Sequence, residues 1–288
     1  SSKNSAGVIV SPWKAVFDEA TGSLAAYQVG EKQLLEAPVV PCFARAATEN
    51  DMGAKFHNKQ KVWRDAEFEV ASFEVTKGDD NYMVNVSYKP IAGDVATVSM
   101  KYEVYAGGTV SIVETMEDAG KLSEAFMLPR FGMQLAMPGE YSVFEFYGLG
   151  PHENYIDRAS SARVGHYVQR VEDQYHYGYV RPQESGNHSD VRYWQVLNAK
   201  GEGLEFKAHG PMECSSLNYF PSDLDDGPDK NARQSHSGDL TPRNLTVTQV
   251  AQTQMGLGCV NSWGAWAEQE YLLGWKDREF MYTVKYIK

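Results

Sequence analysis

Basic residues are scarce in this sequence: 27 Lys and Arg stand against 38 Asp and Glu, which leaves a net charge of −11. Nucleic-acid binding needs a basic footprint, so this balance argues against a nucleic-acid partner. It argues equally against binding to an anionic membrane surface. No apolar run approaches the roughly 20 residues of a membrane-spanning helix, and no signal-peptide pattern is visible. We therefore expect a soluble protein that handles neutral ligands.

Cysteine is also scarce. The chain has three, Cys42, Cys214 and Cys259, and their odd number and spacing match no zinc or CxxC pattern. We expect buried free thiols, because unpaired cysteine is among the most buried residue types. P-loop, HExxH and GxSxG motifs are missing too, which removes the sequence signatures of three large enzyme classes.

The main pattern in the sequence is the alternation of apolar and polar residues with a period of two. Between residues 68 and 115 apolar side chains recur at every second position, which is typical of strands with one buried and one wet face. The clearest run is Val95–Tyr105, and Gly107–Gly108 after it predicts a two-residue hairpin turn. Later strands are predicted as well, including Tyr175–Val180 and Tyr271–Trp275. No long amphipathic helix or internal repeat is visible.

These patterns predict an all-β fold. The 288 residues suit one domain, since all-β domains routinely reach this size. We predict a single domain over 1–288, built as one large antiparallel β-sandwich. The polar segment from Gly53 to Arg64 is predicted to form one or two helical turns, and it is the best candidate for a mobile lid.

Two polar clusters and one loop stand out. The clusters are in FEFYGLGPHENYIDR at Phe144–Arg158 and RPQESGNHSDVRYW at Arg181–Trp194, and the loop is MGLGCVNSWGAW at Met255–Trp266. A strand that stops at a Gly/Pro turn and delivers polar groups to a rim is how β-proteins present a site. The acid–base candidates in and between the first two of these stretches are His152, Glu153, Asp157, His166, His176, Glu184 and His188. Spacing does not say which pair would meet, and structural ion pairs are the commoner role.

Two further features leave alternatives open. The acidic stretch DLDDGPDK at Asp223–Lys230 is similar to a calcium loop but lacks the EF-hand spacing, so calcium at Asp223–Asp229 and a solvated turn both remain possible. Trp263 and Trp266 lie on or beside a loop that contains Gly and Asn. Either can offer an aromatic face to a pyranose ring, or plug the end of the sandwich.

Taken together, four motifs resemble the C-terminal, small-chain domain of the large bacterial β-galactosidases of glycoside hydrolase family two. They are ARAATENDMG at Ala44–Gly53, YGLGPHENYIDR at Tyr147–Arg158, YVRPQESGNHSDVRYW at Tyr179–Trp194 and MGLGCVNSWG at Met255–Gly264. Their order and spacing follow the family, and the resemblance covers nearly the whole chain. It implies a β-supersandwich of galactose-mutarotase-like type, which agrees with the strand pattern.

The resemblance also implies a division of labour. In that family a separate TIM barrel carries the catalytic glutamates and the magnesium ligands, so this domain is expected to hold no cofactor and to be non-catalytic alone. The family's sugar-stacking tryptophan matches Trp263, and the hinge glycine of its mobile loop matches Gly53. Asn50 and Asp51 of the same motif are secondary candidates, whereas Ala54–Lys61 departs from the family pattern.

The implied partners are a β-galactoside or galactose-type sugar and the barrel of a homo-oligomeric parent enzyme. Two other functions stay open at this point. One is a free-standing aldose 1-epimerase-like enzyme, for which His152, Glu153, Glu184 and His188 are the candidate acid–base residues. The other is a carbohydrate-binding module with an exposed Trp263. The expected compartment is the bacterial cytoplasm or periplasm, with the choice left open.

Overall fold

The computed structural model describes residues 5–10, 12–92, 94–119, 127–225, 235–258, 260–261 and 264–288. In chain order, the strands are β1 (Ser5–Val10), β2 (Trp13–Asp18), β3 (Ser23–Val29), β4 (Lys32–Gln33), β5 (Ala37–Pro41), β6 (Val70–Lys77), β7 (Asn81–Tyr88), β8 (Ala96–Tyr105), β9 (Val110–Asp118), β10 (Arg130–Pro138), β11 (Val143–Gly150), β12 (Arg163–Arg170), β13 (His188–Val191), β14 (Tyr193–Leu197), β15 (Gly203–Ala208), β16 (Met212–Leu217), β17 (Leu245–Gln254) and β18 (Arg278–Ile287). The α-helices are α1 (Glu49–Gly53) and α2 (Phe56–Arg64). Short 3-10 helices lie at Val171–Asp173, Pro221–Leu224, Ser237–Asp239 and Gln269–Tyr271.

The strands form two nine-stranded antiparallel sheets. The first has the order β1-β2-β3-β5-β10-β17-β16-β13, with β4 paired to β3, and the second has the order β12-β11-β14-β15-β18-β9-β8-β7-β6. The prediction of a large antiparallel all-β sandwich is therefore confirmed. No helix among the described residues has the length and apolar character needed to cross a bilayer.

The core lies between the two sheets and is rich in aromatic side chains. Phe17 on β2 packs against Tyr102 on β8 with ring centroids 5.0 Å apart, and the Tyr282 hydroxyl of β18 donates to Met133 Sδ of β10 at 3.2 Å. Each such fully buried side chain contributes about 1.5–3 kcal/mol relative to exposure. Along β8 burial alternates at every second residue, as the sequence predicts.

Three local predictions are wrong. The hairpin between β8 and β9 has a three-residue loop, Ala106–Gly108, because Tyr105 N still bonds to Thr109 O at 2.9 Å. Tyr175–Val180 is irregular, since Tyr175 packs in a small side cluster with residues such as Leu217 rather than in a sheet. Tyr271–Trp275 contains no strand either. Tyr271 ends a 3-10 helix, and the residues after it are irregular and place Leu273 and Trp275 in the core.

The predicted helical turns after Gly53 are confirmed. Thr48 begins α1 with a capping box, in which its hydroxyl accepts from Asp51 N at 3.0 Å. Lys55 has a left-handed backbone (φ 57°), which separates α1 from α2. The inner face of α2 is anchored, because Trp63 is buried and donates from Nε1 to Met127 O at 2.9 Å. Opening of this segment as a lid stays a prediction.

Candidate functional site

A buried ion pair fixes the segment that carries Asn50, Asp51 and Gly53. Arg45 Nη2 lies 2.8 Å from Asp51 Oδ1 and Arg45 Nε lies 3.1 Å from Asp51 Oδ2, with both side chains almost fully buried. Burial alone would lower the pKa of Arg45, but the charge and hydrogen bonds of Asp51, together with the charge of Glu184, leave the pKa raised. Asp51 is therefore a structural residue of the site rather than a group available to a sugar.

The same Arg45 joins this segment to the C-terminal motif. Its Nη1 donates to Met255 O at 2.5 Å and its Nη2 to Gly256 O at 3.2 Å. These bonds cross more than 200 residues of sequence and satisfy carbonyls at the end of β17. Arg45 thus joins the Ala44–Gly53 motif to the first two residues of the Met255–Gly264 motif.

Asn50 bonds to both ends of the loop between Leu257 and Ala265, which we call the tryptophan loop. Its Nδ2 donates to Leu257 O at 3.1 Å and to Ala265 O at 2.9 Å. Asp157 Oδ2 accepts from Gly258 N of the same loop at 2.8 Å. Asn50 and Asp157 therefore position this loop. Both residues are named as candidates from the sequence, but these hydrogen bonds are not predicted by it.

Trp263, the candidate sugar platform, lies outside the described residues together with Ser262 and Cys259. The next residue, Gly264, is described and meets the candidate hinge. It has a φ of +73°, and a Cβ built on it would lie 2.3 Å from the carbonyl carbon of Gly53 and 2.6 Å from Ala54 N. The fold therefore brings the tryptophan loop and the end of α1 together backbone to backbone.

Trp266 has a packing role. Its Nε1 donates to Ala54 O at 3.2 Å, its ring meets the Phe56 ring edge-on at 5.4 Å, and Lys59 Nζ lies 4.8 Å from its centroid. Because these contacts are with Ala54 and α2, Trp266 supports the start of that helix. The assignment of the sugar platform to Trp263 stays a prediction.

Replacing Gly264 with alanine is expected to destabilise the contact between the tryptophan loop and α1. The left-handed backbone and the 2.3 Å approach to Gly53 leave no room for a Cβ, which should cost about 1–3 kcal/mol. The measurement is thermal unfolding together with hydrogen exchange over residues 49–64, which should become faster. Gly210→Ala is the matched control, since nothing lies within 4 Å of a Cβ there. Equal behaviour of the two variants would contradict the packing described.

The Glu153 carboxylate has a structural role, because both of its oxygens accept hydrogen bonds from neighbouring residues. Its Oε1 accepts from Tyr179 OH at 2.6 Å and from Arg158 Nη2 at 3.0 Å, while its Oε2 accepts from Gly186 N at 2.7 Å and Ser185 Oγ at 3.3 Å. Burial, reinforced by the Glu153 charge, raises the pKa of Tyr179 to about 12. The carboxylate ties the first polar cluster to the second, as a buttress rather than as an acid or base.

His152 is exposed, and its Nε2 lies 3.0 Å from Ser161 Oγ. It borders a groove of about 610 Å³ that Glu153 and His176 also line. Glu184 and His188 are not among the described residues that line this groove. The structure therefore brings His152 and Glu153 to one surface and leaves the other two candidates in the interior.

Glu184 is part of a second buried ion pair, with its Oε1 2.6 Å from Arg130 Nη2. Burial raises the pKa of Glu184, and the Arg130 charge opposes that rise. His188 is fully buried, with its Nδ1 3.2 Å from Leu149 O and its ring 4.6 Å from that of Phe146. Burial lowers the pKa of His188 to about 4, so it is a neutral core residue.

Stability is expected to fall with acid through His188. Above about pH 6.5 this imidazole is neutral in both the folded and the unfolded state, so it does not change the free energy of unfolding. As pH drops from about 6.5 to about 4, only the unfolded state takes up the proton, which should remove roughly 3 kcal/mol in total. The measurement is urea unfolding of wild type and His188→Gln at several pH values. The difference between the two should change across this window, and parallel curves would contradict the assignment.

Sequence reasoning missed Glu213. It is buried on β16, and its Oε2 accepts from Asn187 Nδ2 at 2.9 Å while its Oε1 accepts from Thr253 Oγ1 at 3.1 Å. Burial raises its pKa to about 7. The sequence around it, MECSSL, shows no apolar alternation, so it carries no clear signal that this carboxyl group is buried.

Among the described residues, no group of three or more His, Cys, Asp or Glu is placed to hold a metal ion. Asp223 is bound by Arg243, whose Nε lies 2.7 Å from Oδ2 and whose Nη2 lies 2.6 Å from Oδ1. These bonds lower the pKa of Asp223. Asp226 and Asp229 of the acidic stretch lie outside the described residues, so calcium there is untested. Cys42 and Cys214 are free thiols, half-buried and buried respectively.

A family model described as beta galactosidase small chain matches residues 10–285. A β-galactosidase of Halalkalibacterium halodurans is 33% identical over 283 residues, which cover 96% of this chain and 27% of that protein. A β-galactosidase of Priestia megaterium is 30% identical, with 90% of this chain and 24% of that protein covered. The chain thus spans about a quarter of these relatives. A β-galactosidase small subunit of Latilactobacillus sakei is 25% identical, with 94% and 92% covered.

Solved structures identify the fold. Galactose 1-epimerase of Lactobacillus acidophilus NCFM superposes with a TM-score of 0.52 at 9% identity, over 99% of each chain. A galactose mutarotase-like protein of Lactobacillus casei ATCC 334 gives 0.50 at 9% identity, over 99% of this chain and 100% of that one. At such identities the likeness concerns the fold alone, and it confirms the predicted galactose-mutarotase-like architecture. By the match of its sequence over almost its full length, the chain belongs to the β-galactosidase small-chain family.

Proposed function

We propose that residues 1–288 form one domain of a glycoside hydrolase family two β-galactosidase, and that this domain completes the substrate pocket without being catalytic alone. The observation that carries the proposal is the backbone contact of Gly53 with Gly264. It joins the candidate lid hinge to the residue after the candidate sugar platform. A loop and a hinge in such contact can respond together to a sugar, which is the behaviour that a pocket-completing domain needs.

The chemistry of the candidate residues supports a non-catalytic role. A retaining glycosidase uses two carboxyl groups about 5–5.5 Å apart, one of them free to attack the sugar. Glu153 accepts four hydrogen bonds and Glu184 is paired with Arg130, so neither is free for this work. We propose that a TIM barrel outside this chain supplies both glutamates and the magnesium ligands, and that the parent enzyme is a homo-oligomer.

The free energies involved also support a non-catalytic role. Stacking of Trp263 on a pyranose buries apolar surface worth about 1–3 kcal/mol, on the scale of one side chain. Enzymes lower barriers by more than about 8 kcal/mol. The proposed role of Trp263 is therefore to bind and orient the leaving-group sugar of a β-galactoside, while Asn50 and Asp157 hold its loop in place.

A mutarotation assay separates this proposal from an epimerase. The isolated chain is expected to leave the interconversion of α- and β-galactose at the buffer rate, because the four epimerase candidates, His152, Glu153, Glu184 and His188, are hydrogen-bonded or buried. Polarimetry with fresh α-galactose measures the rate, with a galactose mutarotase as the positive control. Acceleration at catalytic enzyme concentration would overturn the non-catalytic assignment.

Calorimetry with galactose and lactose addresses a stand-alone binding module. The proposed pocket is shared with a barrel, so the isolated chain should bind either sugar more weakly than about 1 mM, or −4.1 kcal/mol. Submillimolar affinity would favour a self-sufficient carbohydrate-binding module instead.

A further inference from the structure

Glu114, in the middle of β9, places a carboxyl group in the core between the two sheets. Its side chain is fully buried, and neither Oε1 nor Oε2 has a hydrogen-bond partner among the described residues. None of the contacts of the candidate site involves it. Most buried polar atoms in folded proteins are hydrogen-bonded, so a carboxyl group with both oxygens unpaired requires an explanation.

The strand register surrounds this carboxyl group with apolar side chains. Glu114 lies directly opposite Met100 on β8 and Phe280 on β18, and both of these residues are buried in the same core. Ile112 and Met116, two positions away on either side along β9, are also fully buried, so this face of the strand is the inner one. None of these four side chains can donate a hydrogen bond to a carboxylate.

The titratable groups that interact with Glu114 among the described residues are uncharged at neutral pH. They are the phenols of Tyr88 on β7, Tyr102 on β8 and Tyr282 on β18, and the thiol of Cys42 just after β5. Burial is the main cause that raises the pKa of all four groups. Each of the three hydroxyls donates to another acceptor. Burial accordingly raises the pKa of Glu114 well above its ordinary value.

We infer that Glu114 is a protonated, neutral carboxylic acid in the folded protein at neutral pH, and that this buried acid makes the stability of the β-sandwich fall as pH rises. A carboxylate without a hydrogen bond or a balancing charge is strongly disfavoured in an apolar interior. The unfolded chain exposes the same group to water, where it ionises above about pH 4.3. Below that pH both states are protonated; above it only the unfolded state loses the proton, so unfolding becomes more favourable.

This effect is opposite in sign to that of His188, which destabilises the fold as pH drops below about 6.5. Two buried groups therefore limit the pH range of the fold from opposite sides. Neither the sugar platform nor the hinge enters the argument, so the inference is independent of the proposed function.

The test is urea unfolding of the 288-residue chain, in which wild type is compared with Glu114→Gln between about pH 5 and pH 8. Glutamine keeps the size and polarity of the side chain but cannot ionise. The unfolding constant of wild type should rise by up to about tenfold per pH unit relative to that of Glu114→Gln, because unfolding releases one additional proton. Other titrating groups are common to both proteins and cancel in this ratio. Glu117→Gln is the matched control on the same strand, and its ratio to wild type should stay constant because Glu117 is exposed.

A second measurement does not depend on stability. The infrared difference spectrum of folded wild type minus folded Glu114→Gln at neutral pH should contain the carbonyl stretch of a protonated carboxyl group. A carboxylate band in its place, or a ratio of unfolding constants that stays constant across the pH range, would overturn the inference. Glu114→Met has a side chain of similar size without an ionisable group, and it replaces Glu114→Gln in both measurements if the glutamine variant does not fold.

Discussion

Trp263→Ala in the complete enzyme is expected to raise KM for lactose about tenfold to a hundredfold and to leave the melting temperature nearly unchanged. The reason is the loss of the proposed apolar contact with the leaving-group sugar, which is worth about 1–3 kcal/mol. A contact made equally in the ground and transition states changes KM more than kcat. Steady-state kinetics on lactose and calorimetric unfolding of the same preparations measure both quantities.

Trp266→Ala is the matched control for this experiment. Trp266 packs on Phe56 and bonds to Ala54 O, so its loss should lower the melting temperature and disturb the start of α2. For a half-buried tryptophan we expect a cost of about 1–3 kcal/mol, below the roughly 3–5 kcal/mol of a fully buried one. If Trp263→Ala instead lowers stability by many degrees with unchanged kinetics, Trp263 is a core residue and its assignment to the sugar fails.

Asp51→Asn is expected to cause the largest loss of stability. The substitution leaves the Arg45 guanidinium buried without its partner and weakens the capping box of α1. Breaking a buried ion pair from one side costs about 3–5 kcal/mol. Because Arg45 also bonds to Met255 O and Gly256 O, disorder should spread to the tryptophan loop and KM should rise as well. Chemical unfolding and lactose kinetics measure the two effects.

Glu69→Gln makes the same carboxyl-to-amide change in an exposed pair. Glu69 pairs with Lys89 on the surface, where such pairs contribute about 0–1 kcal/mol. It should therefore leave the free energy of unfolding almost unchanged. Similar losses in Asp51→Asn and Glu69→Gln would show that the Arg45–Asp51 pair does not anchor the site.

The sheets were predictable because their signal is local. In β8 each side chain faces either the core or solvent, so a period of two in the sequence gives both the strand and its buried face. Tyr175–Val180 carries aromatic residues that favour a strand equally well, yet contacts of Tyr175 with Tyr219 and Leu217 hold it in another conformation. β-Propensity describes how well a residue fits a pleated sheet, but tertiary packing decides whether the segment lies beside another strand at all.

The candidate site was predictable only as a set of motifs. Asn50 and Asp157 are far in sequence from Leu257 and Gly258. Only the fold brings Asn50 Nδ2 within hydrogen-bond distance of Leu257 O, and Asp157 Oδ2 within that distance of Gly258 N. Glu153 illustrates the reverse case: its polar cluster suggested acid–base chemistry, but folding surrounds its carboxylate with four donors. Residue type indicates what a side chain can do, while its partners decide what it does.

We propose that this chain completes a sugar pocket for catalytic groups located elsewhere. The most direct test is the rate of lactose hydrolysis by the barrel-bearing remainder of the enzyme, with and without the 288-residue chain added in trans. We predict no hydrolysis by the chain alone, little by the remainder alone, and full activity when the two are combined. Hydrolysis by the isolated chain, or equal hydrolysis by the remainder without it, would contradict the claim.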